Sequence, residues 1–151
     1  MPKITPFLWF DTQAEEAMNF YISVFKRSRA LSVNRAQGKV MAVQFELEGQ
    51  EFMALNGGPA FKFTEAISLF VGCETQQEID ELWEKLTADG GASSRCGWLK
   101  DKFGLSWQIV PTALSRMLGD KDAPKSKRVM DALFQMDKLD LARLQQAYDG
   151  E

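Results

Sequence analysis

The side chains that could do chemistry in this chain of 151 residues do not include a histidine. That composition removes the commonest general base, the commonest metal ligand and every Ser-His or Cys-His nucleophile pair. Any reaction would therefore depend on carboxylates, lysine, tyrosine or cysteine. The candidate ligand-binding residues are polar, aromatic and thiol side chains on or beside predicted strands, namely Gln44, Glu46, Asn56, Phe61, Phe63, Cys96, Trp98, Lys100, Ser106 and Gln108.

Five of these candidates fall in the stretch 96–111, which has the pattern of a β-hairpin. Two β-prone runs, 96–100 and 105–110, flank a charged turn that contains Gly104, and Pro111 should end the second strand. Alternation places Ser106 and Gln108 on the same face. Gln108 in this hairpin and Asn56 earlier in the chain have two interpretations. Each either contacts a ligand or satisfies buried carbonyls at the end of a sheet.

Three further candidates lie in this turn or beside it, and each has a functional and a structural interpretation. Residues 100–102 are most simply a solvated turn, although Lys100 could hold an anionic group at the mouth of a cleft. Cys96 could act as a nucleophile if Lys100 lowered its pKa, but no base is placed to orient it, which favours an inert thiol. Trp98 could stack on a flat ligand or belong to the core.

The first half of the chain supplies elements that could form the wall of a ligand-binding cleft opposite the 96–111 hairpin. Ile4–Phe10 predicts a strand, and Thr12-Gln-Ala-Glu15 a capping box that begins a helix with one apolar stripe. A weak strand over 29–35 precedes a second hairpin, formed by Val40–Leu47 and Glu51–Asn56. Within it Gln44 and Glu46 share one face, and Ala54 and Asn56 share another.

The same pattern recurs 63 residues later. A strand over Ile67–Cys73 is followed by a second capping box, Thr75-Gln-Gln-Glu78, and by another striped helix. Residues 4, 7, 12, 13 and 15 have identical counterparts at 67, 70, 75, 76 and 78. We therefore predict two β-α-β-β-β modules, at 1–57 and 64–111. The loop between them, with Phe61 and Phe63, is either a lid or a hydrophobic tether.

Residues 112–151 form a predicted helical appendix to one compact domain. A short helix should end at Gly119 in the left-handed conformation, a second begins at Asp122 and Pro124, and Asp137 or Asp140 caps a third. Their apolar stripes must be buried either on the same chain or in a dimer contact.

The order of elements, with the strings Pro6–Asp11 and Asn56–Phe63 and the 96–111 hairpin, resembles the PhnB-like branch of the vicinal-oxygen-chelate (glyoxalase/bleomycin-resistance) superfamily. This branch is often labelled 3-demethylubiquinone 3-methyltransferase. The resemblance covers residues 2–114. It implies an α+β fold in which paired modules form a curved mixed sheet, as glyoxalase-like half-barrels around a cleft, with C-terminal helices added and the whole completed in dimers.

The resemblance also locates where metal ligands would stand in the superfamily. By spacing they correspond to Ile4, Ile67, Phe52 or Ala54, and Gln108, so that three of the four are apolar. One neutral amide cannot repay the dehydration of a divalent ion, so we expect a cleft without metal or other cofactor. Methyl transfer is not expected either, because Gly57-Gly58-Pro59 does not lead from a strand into a helix.

The prediction is therefore a PhnB-like homodimer that binds a small organic molecule in a metal-free cleft, with the reaction, if any, left open. The alternative is a metal-dependent glyoxalase- or dioxygenase-type enzyme with an atypical Gln/Glu ligand set, to which Gln44 or Glu46 would contribute if the strand register is shifted. A net charge of −3 and the absence of an apolar run near ~18 residues predict neither a nucleic-acid nor a membrane partner. Two cysteines fit a reducing cytoplasm.

Overall fold

The computed structural model describes residues 2–151 and divides the chain into two compact units, the first ending at Phe63 and the second beginning at Thr64. Each unit contains one four-stranded mixed sheet. Across residues 2–151, no helix has both the length and the apolar character needed to cross a membrane.

The first unit follows the predicted β-α-β-β-β order. Its elements are β1 Phe7–Phe10, α1 Ala14–Val24, β2 Ser28–Ala36, β3 Lys39–Leu47 and β4 Gln50–Asn56. The strands lie in the order β1-β4-β3-β2, with β1 parallel to β4 and the other pairs antiparallel. The first strand begins three residues later than predicted, and Ile4 lies outside it with 85% of its surface exposed.

Helix α1 covers one face of this sheet. The stripe predicted from its spacing is buried, and α1 contacts β2, β3 and β4. The strand side chains buried with it alternate along the strands, as a sheet with two different faces requires: Leu8, Phe10, Val43, Phe45, Leu47, Phe52 and Ala54. The other face of the sheet has no helix over it within residues 2–63.

The start of α1 differs from the prediction. Its N-cap is Gln13, without a side-chain cap, so the capping box at Thr12 is wrong. The first helical amide, of Ala14, instead donates to Asn56 Oδ1 at 2.8 Å, and Asn56 Nδ2 donates to Val40 O at 3.2 Å. An acceptor from the end of β4 thus replaces the local cap.

The second unit repeats the topology of the first, which confirms the α+β fold built from two β-α-β-β-β modules. Its elements are β5 Ser68–Cys73, α2 Gln76–Thr87, β6 Ala92–Ser93, β7 Trp98–Lys100 and β8 Ser106–Pro111, with the strand order β5-β8-β7-β6. Strand β8 ends at Pro111 as predicted, and the N-cap is confirmed here, since Thr75 Oγ1 accepts from Glu78 N at 3.2 Å. The module order requires a strand between α2 and β7, but its position at β6 was not predicted.

Three helices complete the second unit: α3 Ala113–Leu118, α4 Ala123–Leu133 and α5 Leu141–Asp149. Asp122 and Asp140 cap α4 and α5 by accepting from Lys125 N and Arg143 N. Gly119 has φ −86°, so the predicted left-handed end of α3 is wrong, and its N–H bonds Ser115 O as in a continuing helix. Most residues of the apolar stripes are buried on the same chain in one cluster with Val110 of β8: Leu114, Met117, Val129, Leu133, Met136, Leu139 and Leu144. Met130 and Phe134, which belong to the predicted stripe of the second helix, are instead 37% and 52% exposed.

Candidate functional site

The open face of the second sheet gathers four of the predicted site residues. The strand register places Trp98 beside Gln108 and Lys100 beside Ser106. Gln108 Nε2 donates to Ser68 Oγ on β5 at 2.9 Å. The alternate residues Leu99, Trp107 and Ile109 are buried on the other face, where α2 contacts β7 and β8. Strand pairing therefore places these four side chains on one face, and Ser68 from β5, which is distant in sequence, lies beside them.

A pocket of about 260 Å³ opens beside these side chains. Trp98, Lys100 and Ser106 were predicted as site residues, and the remaining lining residues were not: Glu65, Ala92, Ser93, Ser94 and Leu99. Ser106 is only 1% exposed, and its Oγ has no hydrogen-bond partner anywhere in residues 2–151. A buried hydroxyl without a partner costs free energy, so it is a candidate group for hydrogen bonding to a ligand.

The two charged residues that line the pocket, Lys100 and Glu65, form an ion pair. Lys100 Nζ contacts the carboxylate of Glu65, which precedes β5. The hydrogen bond from Lys100 is the main cause that holds the pKa of Glu65 below its ordinary value. Both side chains remain substantially exposed, so the pair is weak and exchangeable. A carboxylate therefore already occupies the position in which an anionic ligand would meet Lys100.

The turn that follows Lys100 is not the solvated turn that its charges suggested. Asp101 is 2% exposed, and one carboxylate oxygen accepts from the backbone N–H groups of Phe103 and Leu105 at 2.9 and 3.1 Å. The other oxygen accepts from Trp107 Nε1 at 2.9 Å. This buried carboxylate fixes the hairpin and thereby the strand that carries Ser106.

The two thiols lie outside the pocket lining. Cys96 has φ +60°, its N–H bonds Met136 O at 2.8 Å, and its side chain packs against the C-terminal helix cluster. Cys73 is fully buried, and burial is the main cause that raises its pKa to about 12. At neutral pH Cys73 is therefore protonated and a poor nucleophile.

In the first unit, Gln44 and Glu46 lie on the open face of the sheet. Gln44 Nε2 donates to Glu51 at 3.3 Å, and Glu46 pairs with Arg29 at 3.1 Å. Within residues 2–151 no three His, Cys, Asp or Glu side chains are grouped so that they could hold a metal ion. Asn56 faces the helix side with Ala54, where its amide bonds the backbone groups described above, so it is separated from Gln44 and Glu46.

The two phenylalanines of the connecting loop rest on aromatic side chains of β1. Phe61 meets Trp9 edge to face at 4.9 Å, and Phe63 meets Phe10 in the same way at 5.3 Å. The Trp9 indole N–H also donates to Gly58 O at 3.0 Å. These contacts attach the loop to the first unit.

Comparison with known proteins gives a family and several solved structures. The model of the family described as 3-demethylubiquinone-9 3-methyltransferase matches residues 2–110. Similar structures include the PhnB protein from Bacillus cereus, with 42% identity over 74% of this chain and 100% of that one at a TM-score of 0.69. Protein PA1353 from Pseudomonas aeruginosa is 21% identical over 74% and 98%, with a TM-score of 0.59.

A glyoxylase/bleomycin resistance protein/dioxygenase domain from Frankia sp. EAN1pec is 14% identical over 74% of this chain and 92% of that one, with a TM-score of 0.51. The comparison with curated proteins gave no match. The family match ends at residue 110, so helices α3, α4 and α5 lie outside it.

Proposed function

The chain belongs to the PhnB-like family described as 3-demethylubiquinone-9 3-methyltransferase, within the vicinal-oxygen-chelate superfamily, and from this premise we propose that it binds a small organic acid in the pocket of its second module. The observation that carries the proposal is the unpartnered, buried Ser106 hydroxyl in the same pocket as the Lys100 cation. Hydroxyl and ammonium groups together suit a carboxylate or another oxyanion.

The size and lining of the pocket support a ligand of about one ring. Its volume of about 260 Å³ lies just below the usual range for small-molecule sites, roughly 300–1,000 Å³. The half-buried Trp98 offers a flat apolar surface next to Lys100. An aromatic acid would satisfy both features, with its ring against the indole and its anionic group in place of Glu65.

We propose ligand binding and not methyl transfer, although the family description names a methyltransferase. Cofactor sites of the doubly wound type need a glycine-rich turn from a strand into a helix. Here residues 11–13 lead from β1 into α1, and residues 74–75 lead from β5 into α2, and neither connection contains glycine.

Benzoate and its uncharged isostere benzamide provide the test of the ligand class. We expect isothermal titration calorimetry to show benzoate binding more tightly than benzamide. Lys100→Met should remove the difference, whereas Lys102→Met, a neighbouring lysine outside the pocket lining, should keep it. Glu65→Gln should tighten benzoate binding about twofold to fivefold, because it removes the carboxylate that competes for Lys100.

Equal affinity for the two probes, or unchanged benzoate binding by Lys100→Met, would contradict the proposed ligand class. Metal analysis of protein purified without chelator addresses the alternative function. A stoichiometric divalent ion would favour the metal-dependent enzyme over a metal-free binding protein.

We further propose that the chain forms a homodimer through the outer strands of its sheets. Within residues 2–151, strands β1 and β5 are each paired on one side only. They carry Phe7 and Phe70, which are 50% and 63% exposed on the open faces. Exposed aromatic side chains on unpaired strand edges favour association, and a second copy supplies the same complementary surface.

Light scattering during size-exclusion chromatography is expected to give twice the chain mass of 17.1 kDa. Phe7→Lys or Phe70→Lys should shift the protein towards the monomer mass. Phe134→Lys is the matched control, because this side chain is 52% exposed but lies at the C-cap of α4, away from the strands. A monomeric wild-type protein, or the same shift with all three variants, would refute this interface.

A further inference from the structure

The segment 134–141, which joins α4 to α5, is bonded to three successive residues at the rim of the pocket. Cys96 N donates to Met136 O and Gly97 N to Asp137 O, both at 2.8 Å. The guanidinium of Arg95 donates to Phe134 O at 3.0 Å. The backbone N–H groups of Cys96 and Gly97 and the side chain of Arg95 thus take their hydrogen-bond partners from the segment between α4 and α5.

These residues need such support because their conformation is unusual. Cys96 and Gly97 are consecutive left-handed residues, with φ of +60° and +87°. A left-handed conformation is unfavourable for a non-glycine residue unless the surroundings hold it. A Cβ on Gly97 would lie 3.0 Å from Ile109 O and 3.1 Å from Leu139 Cδ1, so the turn is also closely packed.

The same turn, residues 94–98, connects directly to the pocket and is named the rim turn. Ser94 N donates to Trp98 O at 2.9 Å, and Trp98 N donates to Arg95 O at 3.1 Å, which closes the turn at its ends. Ser94 and Trp98 both line the pocket. A change in the rim turn would therefore move part of the pocket wall.

Helix α2 anchors the segment 134–141 from a second direction. Gln76 Nε2 donates to Leu139 O at 2.9 Å, and Gln76 Oε1 accepts from Leu141 N at 2.7 Å. Lys138 pairs with Asp80 at 2.8 Å. The segment is therefore fixed between α2 and the rim turn, and all of it lies beyond the family-matched region, which ends at residue 110.

We propose that the segment 134–141 is a positioning element that sets the conformation of the rim turn and, through Ser94 and Trp98, the affinity of the pocket. The effect on affinity rests on the proposed ligand-binding function. The effect on the rim turn does not, since it can be measured without a ligand.

Hydrogen exchange on the full chain tests the structural part. Gln76→Ala removes both anchoring bonds, and Gln77→Ala is the matched control because its amide bonds the exposed Glu81 on the same helix. We expect faster amide exchange in residues 94–98 and 134–141 of Gln76→Ala, with residues 2–63 unchanged and no acceleration in Gln77→Ala. Exchange accelerated in 134–141 alone, with 94–98 unchanged, would overturn the proposal.

Arg95→Ala is a second variant that keeps the proposal testable if Gln76→Ala does not fold. Its side chain is largely exposed and contacts the segment through Phe134 O and Asp137. Its removal should accelerate exchange in the rim turn without unfolding the protein. Unchanged exchange there would count against the proposed support.

Benzoate titration tests the consequence for the pocket. We expect Gln76→Ala to weaken benzoate binding about threefold to tenfold and Gln77→Ala to leave it unchanged. A loosened rim turn with unchanged benzoate affinity would refute the role in binding. If the wild-type protein did not bind benzoate, the proposed ligand class would fail while hydrogen exchange would still decide whether the segment positions the rim turn.

Discussion

Replacing Asp101 with alanine is expected to lower the free energy of unfolding by roughly 3–5 kcal/mol. The substitution leaves three donors without their acceptor: the N–H groups of Phe103 and Leu105 and the indole Nε1 of Trp107. Trp107 is 2% exposed, so water cannot easily replace the lost carboxylate. Most of the cost comes from the buried groups left unsatisfied.

Denaturant unfolding followed by circular dichroism measures this loss. Asp131→Ala is the matched control, since that exposed carboxylate pairs with the exposed Lys127 and should change stability by about 0.5 kcal/mol or less. Asp101→Asn keeps one acceptor oxygen and should fall between the two. If Asp101→Ala cost no more than Asp131→Ala, the buried carboxylate would not hold the hairpin.

Gly91→Ala is expected to cost roughly 2–3 kcal/mol, because the added Cβ has no space. It would lie 2.8 Å from each of three backbone atoms: Leu86 O, Lys100 O and Thr87 Cα. Backbone atoms cannot rotate away as a side chain can, so the chain between α2 and β6 must shift. Ala92 and Ser93 follow directly and line the pocket, so the shift should also alter its wall.

Gly104→Ala separates this steric effect from glycine's conformational freedom. Gly104 has φ +88°, but a Cβ added there would meet nothing within 4 Å, so its substitution should cost only about 1 kcal/mol. The comparison uses the same unfolding measurement. Equal losses for the two variants would show that close packing at Gly91 does not determine its cost.

The repeated β-α-β-β-β module could be predicted from the sequence because the patterns that indicate it involve residues close together in the chain. Alternation along β3 and β8 gave the faces on which Gln44 and Ser106 lie, and the cap at Thr75 requires only groups three residues apart. The similar string at Thr12 predicted a capping box that does not form. There an amide 42 residues away in sequence bonds the first helical N–H, a long-range competitor that a local pattern cannot reveal.

The charged contacts of the site were harder to predict, because they also depend on the folded structure and not on a local pattern. Asp101 lies between two lysines, the usual composition of a solvated turn, and only the folded hairpin brings Trp107 Nε1 to its carboxylate. Glu65 was missed because its pairing with Lys100 depends on how the segment before β5 approaches β7. The contacts of the C-terminal segment with the rim turn are likewise tertiary, although the helices were predicted and Asp140 was one of the two predicted caps of α5.

We propose that a small organic acid binds in the second module beside Trp98. The chain has four tryptophans, so indole ¹⁵N labelling should resolve the pocket residue Trp98 from Trp9, Trp83 and Trp107. On titration with benzoate, we predict that the Trp98 indole resonance moves in a saturable manner while those of Trp9 and Trp83 stay in place. A shift of Trp9 with Trp98 unmoved, or no shift of any indole, would contradict the account.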